Sequence, residues 1–148
     1  MMGIDHVAIA VDDLDEAART YKDALGADSI EYETVESEGV RVAIIRMANG
    51  RIELMQPTGD SSPIKKFLEK RGAGLHHIAL RTQDIHGEVG RMKDAGVRFL
   101  GQVRPGSEGT MVTFVHPKSL CGVLAELCSH PAAGHGGGGG SSSVTPSS

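Results

Sequence analysis

Two histidines and two glutamates are the residues of this sequence with the most chemistry to offer. His6 lies in IDHVAIAV and His77 in GLHHIALRT, while Glu53 lies in RIELMQP and Glu126 in GVLAELCSH. Each glutamate sits between apolar neighbours, where a carboxylate without a partner is expensive to bury. Two imidazoles with two carboxylates suit a six-coordinate divalent metal ion such as Co, Mn, Ni, Fe or Zn, leaving two positions open for other oxygens. Taken singly, each is equally readable as a satisfied structural histidine or a solvated glutamate on a one-sided sheet. Their repetition is what sets them apart.

IDHVAIAVDDLDEAARTYKDALG aligns with LHHIALRTQDIHGEVGRMKDAGV. His6 falls on His77, Asp13 on Asp84, and Lys22-Asp23-Ala24 on Lys93-Asp94-Ala95, at the constant offset of 71 that separates 6 from 77. A constant offset signals a duplicated unit, with too few copies for a solenoid. The glutamates are 73 apart, so two residues are inserted between the landmarks of the second copy.

The elements that must position these side chains follow from the same two segments. A strand at 4–11 or 75–81 leads into an amphipathic helix. In the first copy Asp12 or Asp13 caps the helix, Leu14, Ala17, Ala18, Tyr21 and Leu25 form its apolar stripe, and Gly26 stops it. The second helix, about 84–95, carries Gly87 and Gly90, each weakening it by ~1 kcal/mol relative to Ala. Strands are predicted at about 28–36, 40–48 and 51–57, and again at 97–104, 110–116 and 122–128. The pair Asn49-Gly50 predicts a hairpin turn. Between the copies, SSPIKKFLEKRGAG predicts a linker helix at about 62–71, with Ser62 as N-cap, Pro63 at its first position and Gly72 as stop. The fold class is therefore α+β, with two tandem βαβββ modules at about 3–58 and 74–129 in one 1–129 domain and mostly antiparallel pairing.

Strand alternation separates the two faces. Val7, Ile9 and Val11 share a face with Asp5, and Ile78 and Leu80 share one with His76; these bulky faces are expected under the helices. His6, Ala8 and Ala10 share the other face with Ile4, as His77 and Ala79 do in the second copy. Small residues beside a histidine leave room to approach it, so His6 and His77 are the facing pair, with Asp5 and His76 expected at strand edges on the helix side.

Composition narrows the function classes. The chain has 148 residues, 39% hydrophobic and 23% charged, with a net charge of −4. It has no basic stripe to neutralise nucleic-acid phosphates and no run near the ~20 apolar residues that span a bilayer. The N-terminus lacks a signal-peptide pattern. Cys121 and Cys128 do not form a disulfide framework and read as packing residues in a reducing, cytoplasmic setting. SHPAAGHGGGGGSSSVTPSS reads as a disordered Gly/Ser-rich tail, 130–148, in which His130 and His135 are incidental.

Three separated segments, IDHVAIAV with its following DLDEA, SPIKKFLEKRGAGLHHIAL and FVHPKSLCGVLAELC, carry a resemblance over about residues 3–129. The chain resembles the vicinal oxygen chelate (glyoxalase I-like) superfamily and, within it, the methylmalonyl-CoA epimerase family. The resemblance implies a curved mixed sheet built from both modules around a metal-binding cleft. It implies His6, Glu53, His77 and Glu126 as ligands of a divalent metal ion, an acyl-CoA substrate epimerised between its (2R) and (2S) forms, and a homodimer. Family members that carry a catalytic glutamate on the strand reading GVRVAII have it where this chain has Val42. The two ligands Glu53 and Glu126 are therefore expected to double as proton carriers, and the role does not pass to Glu36 or Glu38. Arg104, His116 and Lys118, at loop positions, are candidate substrate contacts, as is the basic cluster Lys65, Lys66, Lys70 and Arg71. The alternatives are a glyoxalase-type lactoylglutathione lyase and a metal-free small-molecule binding module of the same fold. An extradiol dioxygenase is disfavoured, because it needs only two histidines and one carboxylate on iron.

Overall fold

Residues 2–132 are described by a computed structural model. Most of the expected tail, 133–148 with His135, lies outside the described residues. The elements are β1 (Gly3–Ala10), α1 (Leu14–Leu25), β2 (Glu31–Val35), β3 (Val40–Met47), β4 (Gly50–Pro57), α2 (Pro63–Arg71), β5 (Gly74–Arg81), α3 (Ile85–Asp94), β6 (Phe99–Pro105), β7 (Met111–Val115) and β8 (Ala125–Ser129). Short 3₁₀ turns occupy Glu36–Glu38, Ser107–Gly109 and Pro117–Leu120.

The described strands form one eight-stranded sheet in the order β2-β3-β4-β1-β5-β8-β7-β6. This order is symmetric about the antiparallel β1–β5 pair, where the two modules join. Pairing is parallel between β1 and β4 and between β5 and β8, and antiparallel elsewhere. The duplication survives in the register: Ala8 lies opposite Glu53, and Ala79 opposite Glu126. The insertion falls in the last connection, which is residues 48–49 between β3 and β4 but residues 116–124 between β7 and β8. β2 and β6 end opposite edges of the sheet, yet the Ser37 hydroxyl, just past β2, donates to the Pro105 carbonyl at 2.8 Å. The sheet therefore curls until its edges meet, and one face becomes the inside of a cleft.

Local chemistry explains the helices. The Asp13 carboxylate accepts from the Glu16 N–H at the start of α1, and Gly26 ends it at φ 70°, which costs a residue without Cβ little. α1 buries Leu14 and Ala18 against Val11, Ala43, Ile45 and Leu54. Leu25 does not join this stripe: it is 48% exposed and stands outside the cluster that packs α1 on the sheet. Asp84 caps α3 through the Gly87 N–H, and Ile85 and Met92 pack on Val115, Ala125 and Leu127. α2, capped by Ser62 with Pro63 behind it, takes the other face. There Ile64, Phe67 and Leu68 pack with Ala8, Ala10, Val40, Val42, Ile44 and Met55. Among the described residues no helix is long and apolar enough to cross a membrane.

The β3–β4 turn is displaced by one residue from its expected place. Met47 pairs with Gly50, so Ala48-Asn49 make the turn and Gly50 opens β4. A Cβ at residue 50 would stand 3.3 Å from the Asp5 carbonyl oxygen, so the glycine serves close approach to β1. Leu54 is fully buried between α1 and the sheet. Leu54→Ala is expected to lower unfolding free energy by about 2–5 kcal/mol, read from urea denaturation with metal removed.

Candidate metal centre

The four central strands β4, β1, β5 and β8 each contribute one side chain to the cleft floor: Glu53, His6, His77 and Glu126. All are buried, at 4, 4, 5 and 7% exposure. His6 Nε2 lies 3.2 Å from Glu126 Oε1 and 3.6 Å from Glu53 Oε1, and His77 Nε2 lies 3.7 Å from Glu126 Oε1. Donor atoms of His6, His77 and Glu126 all fall within 4.8 Å of one another. Among the described residues, His77 Nε2 and Glu126 Oε1 are buried without a hydrogen-bond partner, an arrangement that costs about 1–3 kcal/mol per group unless something satisfies it. A cation between them satisfies both, so the residues fit the metal ion that the family resemblance implies.

Asp5 and His76 are not on the helix side. The β1–β5 register skips Asp5 between Ile4 and His6, and skips His76 between His77 and Leu75. These are β-bulges, and an extra residue breaks the alternation that assigns faces. Each bulge turns its residue onto the neighbouring histidine. Asp5 Oδ2 lies 2.7 Å from His6 Nδ1, and His76 Nδ1 lies 2.8 Å from His77 Nδ1. The Asp5 carboxylate, which only accepts, fixes the His6 tautomer: Nδ1–H donates to it and Nε2 is left facing the centre. His76 also stands edge-on to Phe67, with ring centroids 4.8 Å apart.

Arg51 is a site residue that the sequence reading missed. Strand alternation, the available signal, places it on the face of Glu53. Its guanidinium is buried and donates to Asp5 Oδ2 at 2.7 Å, Glu53 Oε2 at 2.9 Å and Glu108 Oε1 at 3.1 Å. His130 is not incidental either: its Nε2 lies 2.7 Å from Asp5 Oδ1. Asp5, Cys128 and His130 form a second cluster of possible donors. Both Asp5 oxygens are already engaged there, so this group braces His6. Cys128 packs as expected, and burial pushes its thiol up. Cys121 does not pack; it is exposed at φ 56° in the turn after Leu120.

Electrostatics set the charge of the metal-free centre. Burial opposes an imidazolium at His6, but facing Glu53, the hydrogen bond to Asp5 and the contact with Glu126 raise its pKa to about 10. Burial opposes ionisation of Glu126, but His6 and His77 pull it down to about 2. Burial likewise opposes ionisation of Asp5, whose partners His130, His6 and Arg51 hold it well below the usual carboxylate range. Burial and His77 push His76 down to about 4, so it stays neutral.

A metal ion must displace the His6 proton. We expect binding to release a proton at pH 8, with affinity rising about tenfold per pH unit until pH 10, in metal titrations across buffers. The raised pKa of His6 contributes stability that is complete below pH 6.5 and lost as pH rises towards 10. The depressed pKa of Glu126 contributes stability present above 4.5 and lost as pH falls towards 2. Melting of chelator-treated protein should therefore decline on both flanks.

A cavity of about 260 Å³ opens above the centre, walled by Val35, Val40, Val42, Ile64 and Phe114. Val42 is 2% exposed on this wall, which makes the place of the family glutamate apolar here. Arg104 lines the cavity, but Glu38 holds its guanidinium at 2.6 and 3.0 Å. His116 and Lys118 sit in the Pro117–Leu120 turn region, where His116 Nδ1 accepts the Lys118 N–H, and are not on the cavity wall. On α2, Lys65 lies 3.6 Å from Asp60 and Arg71 stands over the Phe67 ring.

Residues 5–114 match the family model of the glyoxalase/bleomycin resistance protein/dioxygenase superfamily. The chain is 45% identical over 127 residues to an ethylmalonyl-CoA/methylmalonyl-CoA epimerase of Cereibacter sphaeroides, covering 84% of this chain and 95% of the relative. It is 42% identical over 126 residues to the human mitochondrial methylmalonyl-CoA epimerase, covering 84% and 72%. The crystal structure of methylmalonyl-CoA epimerase from Mycobacterium tuberculosis superposes with a TM-score of 0.84 at 38% identity, over 88% of this chain and 89% of the other. A structure of a methylmalonyl-CoA epimerase in complex with methylmalonyl-CoA and NH4+ gives 0.83 at 38% identity, over 87% and 94%.

Proposed function

Because the chain belongs to the glyoxalase/bleomycin resistance protein/dioxygenase superfamily, we propose that its cleft interconverts (2R)- and (2S)-methylmalonyl-CoA by removing the C2 proton and returning it to the opposite face. The observation that carries this reading is Glu126: a carboxylate with an unpartnered oxygen, buried between two imidazoles at the floor of an apolar cavity.

C2 of this substrate lies between a thioester carbonyl and a carboxylate, so loss of its proton places negative charge on the thioester oxygen. His6, Glu53, His77 and Glu126 would hold a divalent metal ion there, which supplies Lewis-acid stabilisation of that charge. Glu126 Oε1 takes the proton on one side. Inversion needs a carrier on the other side, and Glu53 lies across the axis that relates the modules. Val42 has no site for a proton. Val40, Val42 and Phe114 exclude water around C2. Arg104, with His116 and Lys118 beyond the cavity wall, is proposed to meet the coenzyme phosphates after leaving Glu38. The proposal extends to a homodimer, which would cover the exposed Ile4 and Leu75, and to a cytoplasmic setting that keeps the free thiols Cys121 and Cys128 reduced.

The test is incubation of metal-loaded protein with (2R)-methylmalonyl-CoA and separation of the epimers. Formation of the (2S) form up to an even mixture is expected, with no product from the hemithioacetal of methylglyoxal and glutathione. Turnover of the hemithioacetal alone would transfer the same centre to the glyoxalase-type reaction.

A further inference from the structure

The two modules are not equivalent at the residue two before each glutamate. Arg51 precedes Glu53 and lies opposite His6, whereas Leu124 precedes Glu126. Arg51 takes Glu53 Oε2 and leaves Oε1 as the oxygen that faces His6 Nε2. Through Asp5 Oδ2, the same guanidinium holds the carboxylate that receives His6 Nδ1. Among the described residues, no cation clamps Glu126 in this way. We propose that Arg51 is the positioning residue of the metal centre, aligning two of its four ligands, Glu53 directly and His6 through Asp5, and that it is itself held from the other module by Glu108. This inference rests on the metal-centre reading above.

Glu108 supplies the independent support. It belongs to the Ser107–Gly109 turn of the second module, and its carboxylate bridges Arg51 and Arg46 of the first. Its N–H donates to both oxygens of Glu33, at 2.9 and 3.1 Å. Its backbone stands at φ 54°, ψ 36°, a left-handed conformation that a residue with a Cβ holds only when its surroundings enforce it. The strained turn thus closes the curled sheet directly onto the residue that aligns the ligands.

The test uses full-length protein stripped of metal, titrated with Mn²⁺ and with Co²⁺ by calorimetry, with melting curves alongside. Arg51→Lys keeps the charge but loses the fork that grips three carboxylates at once. It is expected to bind one ion about 10–100-fold more weakly, the usual effect of removing a group that orients a ligand. In a Glu53→Ala background, Arg51→Lys should weaken binding much less, because its principal target is gone. Glu108→Gln, outside the ligand set, should weaken binding less than Arg51→Lys without altering stoichiometry, and it decides the matter if Arg51→Lys does not fold. Affinity unchanged in Arg51→Lys would overturn the positioning role while leaving the centre intact, and affinity lowered equally with and without Glu53 would overturn the direct alignment of Glu53. No binding by the unaltered protein would overturn both.

Discussion

Glu126→Gln will hold the metal ion and lose the reaction. A glutamine keeps a carbonyl oxygen in place of Glu126 Oε1 but cannot accept a proton, so binding and chemistry separate in this variant. General-base catalysis contributes about 10²–10⁴-fold, and epimerisation should fall within that range at unchanged pH. The loss should appear in kcat with KM little altered, because the group acts on the proton and not on binding of the coenzyme. Glu53→Gln tests the second carrier in the same assay. If both glutamates move protons, each variant loses epimerisation in both directions, since either direction needs one group to take the C2 proton and the other to return it. Full activity in Glu53→Gln would assign the second transfer to another group, and Val42 is not available for it.

Removal of the ion has an effect of comparable size by a different route. Chelator-treated protein should fall to background activity and recover with one equivalent of Mn²⁺ or Co²⁺. His77→Ala should resist recovery, since it deletes His77 Nε2, a buried atom that no protein group among the described residues satisfies. An anomalous-diffraction peak within about 2.0–2.2 Å of His6 Nε2 and His77 Nε2, the span of metal–imidazole nitrogen bonds, is the expected crystallographic result. A peak beside Cys128 and His130 instead would place the ion in the cluster that we read as a brace for His6.

The duplication made most of the architecture legible. The strand, helix and three-strand order, the Asp13 and Ser62 caps and the parallel fates of His6 and His77 all follow from local patterns repeated at a constant offset. His6, His77, Glu53 and Glu126, which line one cleft, were legible for a related reason: alternation puts the histidines on one face at an offset of 71, and each module closes on a glutamate between apolar neighbours. What escaped is what alternation cannot encode. A bulge adds one residue without changing composition, so Asp5 and His76 were assigned to the wrong face. Glu108 reaches Arg51 only because the two sheet edges meet, a contact across 57 residues that no local pattern contains. His130 was grouped with a tail whose composition resembles a linker, although its ring reaches Asp5. Arg51 differs, since it lies two residues from Glu53 on the same strand face, where alternation alone is enough to find it.

The most direct test of the whole account is made on the unaltered protein in deuterium oxide. Metal-loaded enzyme is incubated with methylmalonyl-CoA, and C2 is followed by proton NMR before and after chelation. Loss of the C2 proton signal in the loaded sample, and its retention in the stripped one, is the predicted result. A loaded enzyme that binds the substrate and leaves the C2 proton unexchanged would contradict it.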